Sequence, residues 1–317
     1  MNFVPDLLPK PAPKARAKEG DVGRRSFIKL LSALTAGAIA MPDKAEAFNL
    51  DEFLQKHFHQ MTDEEKQKTM ARLEGEYNEK YSREDFSVDD SGPQHGVKYG
   101  YALNLSKCIG CRQCTHACVD ENNQHRGDEE RGDQIEYIRV LEMEKGSLDV
   151  EKSVHDYTHE VPAAGKYYMP VQCHHCNDAP CVKACPVEAT WQEPDGIVVV
   201  DYNWCIGCRY CAAACPYWAR KVNWVEPRIP DEEVNPDTHY LGNRPRYNGV
   251  MEKCTFCITR VRKGLNPACH DICPTGSRKF GNLLDTESVV RRIIDQKSIF
   301  ILKEEVGTDP SFYYFFD

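Results

Sequence analysis

The chain is 317 residues long, with 28% charged residues and a formal net charge of −9 at pH 7. That acidity argues against nucleic acid, whose binders usually present a basic face, while the length suffices for one large or two small domains. Cysteine is the outlying number at 16, an even count that fits either disulfides in an exported chain or bound metal, so spacing has to decide.

At the N-terminus, Gly23-Arg24-Arg25-Ser26-Phe27-Ile28-Lys29 is a twin-arginine export pattern, followed by an apolar run from Leu30 to Met41. Ala38-Ile39-Ala40 and Ala45-Glu46-Ala47 are candidate cleavage sites, and whether the segment is cleaved stays open. At about 12 residues the run is too short for a bilayer core that needs about 20. A chance arginine pair before an amphipathic helix is the competing reading. Residues 1–47 therefore read as a targeting segment carried by Arg24 and Arg25. The expected location is the periplasm, since the twin-arginine route exports chains already folded. No other stretch is suited to span a membrane, so membrane contact is expected only through a partner.

Residues 48–95 form a charged extension in which Phe53, Leu54, His57, Phe58 and Met61 fall at helical spacing, continued by Met70, Leu73 and Tyr77. A helix packed on its own domain is the first reading, and a clamp on a partner the second. From Gly96 short extended runs take over. They cover Tyr99 to Leu105, the alternating Ile135 to Val140, Lys166 to Val171 and Ile197 to Val200. Residues 142–165 and 226–249 carry Pro, Asp and Asn without periodicity and read as loops. The tail, residues 288–317, holds a helical segment from Ser288 to Gln296. It ends in Phe312-Tyr313-Tyr314-Phe315-Phe316, a strand or plug against its own domain, with partner docking as the alternative.

The cysteines sort into four groups of four with none left over. They are Cys108-x2-Cys111-x2-Cys114-x3-Cys118, Cys173-x2-Cys176-x4-Cys181-x3-Cys185-Pro186, Cys205-x2-Cys208-x2-Cys211-x3-Cys215-Pro216 and Cys254-x2-Cys257-x11-Cys269-x3-Cys273-Pro274. The third is the bacterial ferredoxin run, in which three thiolates on a tight loop hold one cubane and the fourth reaches the neighbouring cubane. The recurrence marks duplicated units. The proline helps end each short helix, and Gly110 and Gly207 suit a loop whose backbone approaches inorganic sulfide. Disulfides have no reason to repeat this spacing. Zinc is the better rival, yet its four-thiolate sites use two separated pairs rather than a triplet and a fourth. There is no C-x-x-C-H haem motif, no dinucleotide glycine fingerprint and no P-loop. Arg112, Arg209 and Lys107 flank the groups and could favour reduction, with surface solvation as the competing reading. His116, His174 and His175 sit beside ligands and are read as neighbours of the thiols, and Trp191, Trp204, Trp218 and Trp224 as shields against water.

Several segments resemble the four-cluster iron–sulfur subunits associated with complex iron–sulfur molybdoenzymes, such as those of dimethyl sulfoxide, polysulfide and tetrathionate reductases, formate dehydrogenase and cytochrome c nitrite reductase systems. The resemblance covers about Tyr99 to Asp285. It rests on Cys118-Val119-Asp120-Glu121-Asn122, Cys205-Ile206-Gly207-Cys208-Arg209-Tyr210-Cys211, Lys253-Cys254-Thr255-Phe256-Cys257, Pro274-Thr275-Gly276-Ser277 and Phe280-Gly281-Asn282-Leu283. Arg246 to Cys254 is also similar to the iron–sulfur part of alternative complex III.

The resemblance implies an α+β fold, a tandem, interleaved double bacterial-ferredoxin-like arrangement with loop insertions. Residues 96–165 with 250–287 would form one subdomain and 166–225 the other, with 226–249 inserted between them. It implies four [4Fe–4S] clusters: Cys108, Cys111, Cys114 and Cys273; Cys118, Cys254, Cys257 and Cys269; Cys173, Cys176, Cys181 and Cys215; Cys185, Cys205, Cys208 and Cys211. Cys208 is retained where some relatives lose it, so a cubane is expected at every site; Val119 replaces the closing proline of the first group. The implied role is non-catalytic electron transfer, since no thiol set leaves an iron open to substrate. The implied partners are a polysulfide-reductase-type integral membrane subunit and a molybdopterin catalytic subunit, or alternatively a multihaem cytochrome c in a quinone or quinol oxidoreductase.

Overall fold

The computed structural model describes residues 61–127 and 132–317. Arg24 and Arg25 of the export pattern, and Phe53, Leu54, His57 and Phe58 of the extension, lie outside the described residues.

Helix α1 (Asp63–Lys80) starts where Thr62 and Glu65 form a reciprocal cap and three acidic residues fill the first turn, which satisfies free amides and suits the helix dipole. Leu73 and Tyr77, one turn apart, are its buried residues. They pack with Tyr81, Phe86, Val88, Ile229 and Val234 in a core of their own, so the described part of the extension folds against its own chain.

Strand β1 (Ser87–Asp89) follows and pairs in parallel with β8 (Asp237–His239). The largest sheet centres on β2 (Tyr99–Asn104), buried along its whole length. β2 runs antiparallel to β10 (Arg278–Asn282) and parallel to β12 (Phe312–Phe315), which in turn pairs with β11 (Ile299–Phe300). The aromatic tail is therefore an inner strand of its own domain, with Phe312 and Tyr314 fully buried. Helix α7 (Val289–Gln296), capped by the Ser288 hydroxyl, drops Val290 onto Ala102, Leu283 and Phe315.

The remaining strands form three antiparallel pairs: β3 (Arg139–Glu144) with β4 (Lys166–Val171), β5 (Thr190–Gln192) with β6 (Val198–Val200), and β7 (Lys221–Val222) with β9 (Met251–Glu252). Among the short helices around the cysteines, α3 (Pro180–Lys183) packs on α4 (Tyr210–Ala214). The fourth group's α6 (Ala268–Asp271) packs on α2 (Gln113–Glu121) of the first, and α5 (Ile258–Val261) precedes it. Among the described residues no helix is long and apolar enough to cross a membrane.

Two expectations shift. The alternating run from Ile135 is irregular until Arg139, because its polar groups bond elsewhere. The Tyr137 amide donates to the Gln124 side chain at 3.1 Å, and its hydroxyl donates to Glu252 at 2.5 Å. The expected loop 142–165 begins with the last three residues of β3. Residues 226–249 contain β8 and are anchored by polar side chains. Asn123 donates to the carbonyls of Asn235 and Asn243, and buried Arg246 lies 3.4 Å from the Glu252 carboxylate.

Candidate metal centres

Each cysteine group opens with a C-x-x-C turn whose third residue is left-handed: Gly110 at φ 75°, His175 at 45°, Gly207 at 71° and Phe256 at 53°. Glycine is the residue with no steric penalty there. The two glycines are also crowded by protein, since a Cβ on Gly207 would lie 2.0 Å from the Gly249 carbonyl and one on Gly110 2.5 Å from the Tyr168 ring. Where His175 and Phe256 stand instead, their rings stack on each other at 3.7 Å. The motif spacing does not reveal that contact between the second and fourth groups.

None of the sixteen cysteines is in a disulfide. Cys108, Cys111, Cys114 and Cys273 line one cavity, and Cys173, Cys176, Cys181 and Cys215 another. Cys118 shares the Asn122 side-chain amide with Cys257, at 3.6 Å each, and faces Cys254 and Cys269. Cys211 has Cys205 and Cys185 beside it, together with Cys181 of the neighbouring set. Cys208 lies on the same loop and is exposed. The structure thus brings Cys273 to the Cys108 triplet and Cys215 to the Cys173 triplet at two cavities, and Cys118 to Cys257 at one shared amide.

Exposure differs among the sets. Cys118, Cys254, Cys257 and Cys269 are all buried, and so are three of the four lining the second cavity. The set containing Cys108 is half-buried throughout, and Cys208 reaches solvent. Burial pushes the Cys254 and Cys176 thiols up to about 12 and Cys211 up to about 11. Burial also acts on Cys273, but the Thr275 hydroxyl and the amides of Thr275, Ser277 and Arg278 outweigh it and hold this thiol below its ordinary value.

Donors point at the sulfurs, which stabilises thiolate and the reduced state. Gln124 donates to Cys118 at 3.3 Å, the Phe256 amide to Cys254 at 3.4 Å and the Met251 amide to Cys205 at 3.5 Å. Two guanidinium groups join them, Arg220 to Cys181 at 3.0 Å and Arg278 to Cys114 at 3.4 Å. Lys253 is fully buried beside Cys254 and faces Cys173 and Cys181. Burial opposes the charge of Arg220, yet the sulfurs of Cys181, Cys211 and Cys173 more than restore it.

These three cations were not among the sequence candidates, because lysine and arginine are solvated by default. The available signal was positional: Arg220 and Arg278 each stand five residues after a Cys-Pro cysteine, Cys215 and Cys273. Of the candidates themselves, Lys107 and Arg209 are exposed, while Arg112 lines the cavity of Cys108, Cys111, Cys114 and Cys273. Lys107 pairs with Asp317 at 3.7 Å, Arg112 lies over the Tyr157 ring and Arg209 over Trp224. His116 is exposed. His174 and His175 are buried, and burial drives His174 down to about 3, so it is neutral. Trp218 and Trp224 are exposed, whereas Trp191 and Trp204 are partly covered.

The donor set fits an iron–sulfur cluster better than a single ion. A four-thiolate zinc site places its sulfurs about 2.3 Å from one centre, and among the described residues no three His, Cys, Asp or Glu side chains are placed to hold a single metal ion. The Cys108 and Cys173 sets instead line cavities, and an amide or a guanidinium group is aimed at a sulfur in every set.

The chain matches two families of 4Fe-4S dicluster domain, one over residues 107–189 and the other over 164–230 and 241–283. It is 43% identical to a Halobacterium salinarum protein assigned as an iron–sulfur subunit of dimethyl sulfoxide reductase, over 69% of this chain and 79% of that protein. It is 34% identical to the Hdr-like menaquinol oxidoreductase iron–sulfur subunit 1 of Archaeoglobus fulgidus, over 68% and 82%. With a tetrathionate reductase subunit of Salmonella typhimurium the identity is 30%, over 93% and 88%.

Proposed function

We propose, because this chain belongs to the family of iron–sulfur electron-transfer subunits of complex iron–sulfur molybdoenzymes, that it holds four [4Fe–4S] clusters in line and relays electrons between a membrane subunit and a catalytic subunit. The chain is the electron-transfer member of its complex and not the catalytic one. The first cluster would be held by Cys108, Cys111, Cys114 and Cys273, and the second by Cys118, Cys254, Cys257 and Cys269. The third would take Cys173, Cys176, Cys181 and Cys215, and the fourth Cys185, Cys205, Cys208 and Cys211. A thiolate-bound cubane supplies one-electron chemistry with little change of shape.

The observation that carries the relay is the distribution of exposure. The two inner sets are buried almost completely, while the first and last reach the surface. A wire needs insulation in the middle and contacts at its ends. Cys208 stands beside exposed Tyr210 and Trp224, a surface that would meet a polysulfide-reductase-type membrane subunit handling quinone. The Cys108 end would meet a molybdopterin subunit. The packing of α2 on α6 and of α3 on α4 supports two interleaved ferredoxin-like subdomains, residues 96–165 with 250–287 and residues 166–225. Arg24 and Arg25 support twin-arginine export and a periplasmic location on the inner membrane. Similarity to a menaquinol oxidoreductase subunit favours a second reading, a cytochrome-linked quinol oxidoreductase with the same internal relay.

One experiment on the membrane-purified complex tests this reading. The wild-type chain should carry about 16 irons, four in each cubane. Cys208→Ser should abolish quinol-linked turnover and spare dye-linked turnover of the catalytic partner, and the Arg24→Lys/Arg25→Lys chain should stay in the cytoplasm. A wild-type chain poor in iron, or equal loss of both turnovers, would refute the relay; a periplasmic double-lysine chain would refute the export route.

A further inference from the structure

Each interval between successive thiol sets contains one buried cation. Arg278 spans the first interval: its Nη2 donates to Cys114 of the first set at 3.4 Å, and its Nη1 to Cys269 of the second at 3.7 Å and to the Gln172 side-chain carbonyl oxygen at 2.8 Å. Lys253 occupies the middle interval, where its Nζ donates to the Cys254 backbone carbonyl at 2.5 Å and the sulfurs of Cys254 of the second set and of Cys173 and Cys181 of the third favour its charge. Arg220 spans the last. Its Nη2 donates to Cys181 of the third set at 3.0 Å and to the Thr190 hydroxyl at 2.9 Å, with Cys211 of the fourth set close by.

Their relative exposures are 2%, 0% and 6%. Among the described residues no carboxylate lies within ion-pair distance of any of the three. Of the other buried arginine side chains, Arg246 pairs with Glu252 at 3.4 Å and Arg262 with Glu193 and Asp195 at 3.2 Å, while Arg244 has no carboxylate at that distance and donates to the Tyr240 carbonyl at 2.7 Å and the Asn203 side-chain oxygen at 3.2 Å rather than to a cysteine sulfur. A buried cation without a counter-charge costs several kcal/mol. The two arginines donate directly to cysteine sulfurs, which become anionic when they bind iron, and Lys253 is held on the carbonyl of Cys254, whose sulfur does the same.

Their distribution follows the burial of the sets. A thiolate-bound cubane is negatively charged and gains a further negative charge on reduction, so burial alone makes the inner clusters harder to reduce than the outer ones. Each inner set borders two of the cations and each outer set one. We propose that Arg278, Lys253 and Arg220 act as shared positioning charges that level the relay, raising the potentials of the two clusters each one separates and giving the deeper clusters the larger correction.

The inference rests on the four-cluster reading, and redox-poised EPR of the purified complex separates the two. Iron at about 16 per chain establishes the clusters, and signals are assigned through Cys→Ser variants. Arg220→Gln should lower the potentials of the third and fourth clusters and leave the first unchanged. Arg278→Gln should lower the first and second and leave the fourth unchanged. The expected change is at least tenfold in each reduction equilibrium, about 59 mV for one electron, and Arg220→Lys and Arg278→Lys should restore most of it. Gln172→Glu keeps Arg278 in place while adding a carboxylate beside it; since Gln172 also donates to Cys254 of the second set at 3.8 Å, the reading that reports on Arg278 is the first cluster, whose potential should fall as in Arg278→Gln even where that variant fails to assemble. Full iron with unshifted flanking potentials, or with an equal shift at all four clusters, overturns the proposal.

Discussion

At position 207 the backbone sits at φ 71° and a Cβ would lie 2.0 Å from the Gly249 carbonyl oxygen. Backbone cannot yield as the end of a flexible side chain can, so alanine there must displace the loop that carries Cys205, Cys208 and Cys211. Gly207→Ala should therefore drop iron from about 16 to about 12 per chain, the loss of one cubane, as read by iron and sulfide analysis. An iron content unchanged from wild type would show that the loop accommodates the methyl group. At the equivalent position of the fourth group, Phe256 accepts φ 53° and stacks on His175. Left-handed backbone for a bulky residue is strained, and here the buried ring stack offsets that strain. A motif written as C-x-x-C hides this constraint, because the spacing is the same whether the third residue is glycine or an aromatic ring.

Elements differ in how plainly they can be read. β2, β4, β6 and β12 are apolar runs that survive as strands nearly residue for residue, and α7 keeps both its Ser288 cap and its end at Gln296. Burial on both sides makes such strands continuous in hydropathy, so no tertiary knowledge is needed to find them. The segment 226–249 is the opposite case. Its order comes from Asn123, Arg244 and Arg246 hydrogen-bonding to backbone carbonyls, and polar anchoring leaves no periodicity to detect. The site divides in the same way. The four cysteine groups follow from spacing, and their sorting into ligand sets is what the resemblance implies, while the burial of Arg220, Lys253 and Arg278 beside them is not reported by spacing.

Helix α1 is legible in outline from Leu73 and Tyr77, and its packing can be tested. Leu73 is fully buried within its own small core, so Leu73→Ala should cost about 3 kcal/mol from lost transfer energy and a residual cavity. Because Val88, Ile229 and Val234 share that core and no cysteine does, denaturant melts should show the loss while the visible absorbance of the clusters stays at its wild-type level. Bleaching in parallel with the destabilisation would mean that α1 supports the metal centres after all.

At the scale of the whole molecule, the insulation that suits the proposed four-cluster relay would also protect its iron, and would do so unevenly. The Cys118, Cys254, Cys257 and Cys269 set is wholly buried, three of the four Cys173-set thiols are buried, the Cys108 set is half-buried, and Cys208 is exposed. A chelator reaches iron by competing for its ligands, and a buried set admits it only through local opening, whose free energy rises toward that of global unfolding in the core. Exposure of the purified complex to a mild excess of chelator should therefore remove the fourth cluster first, the first cluster next, the third later and the second last. EPR amplitudes followed in time would report the order, and Cys208→Ser would identify the earliest signal. Simultaneous loss of all four signals would mean that iron leaves only on global unfolding. Earliest loss of the second cluster would place the weakest point of the fold at its most buried thiols and contradict the packing around Cys118.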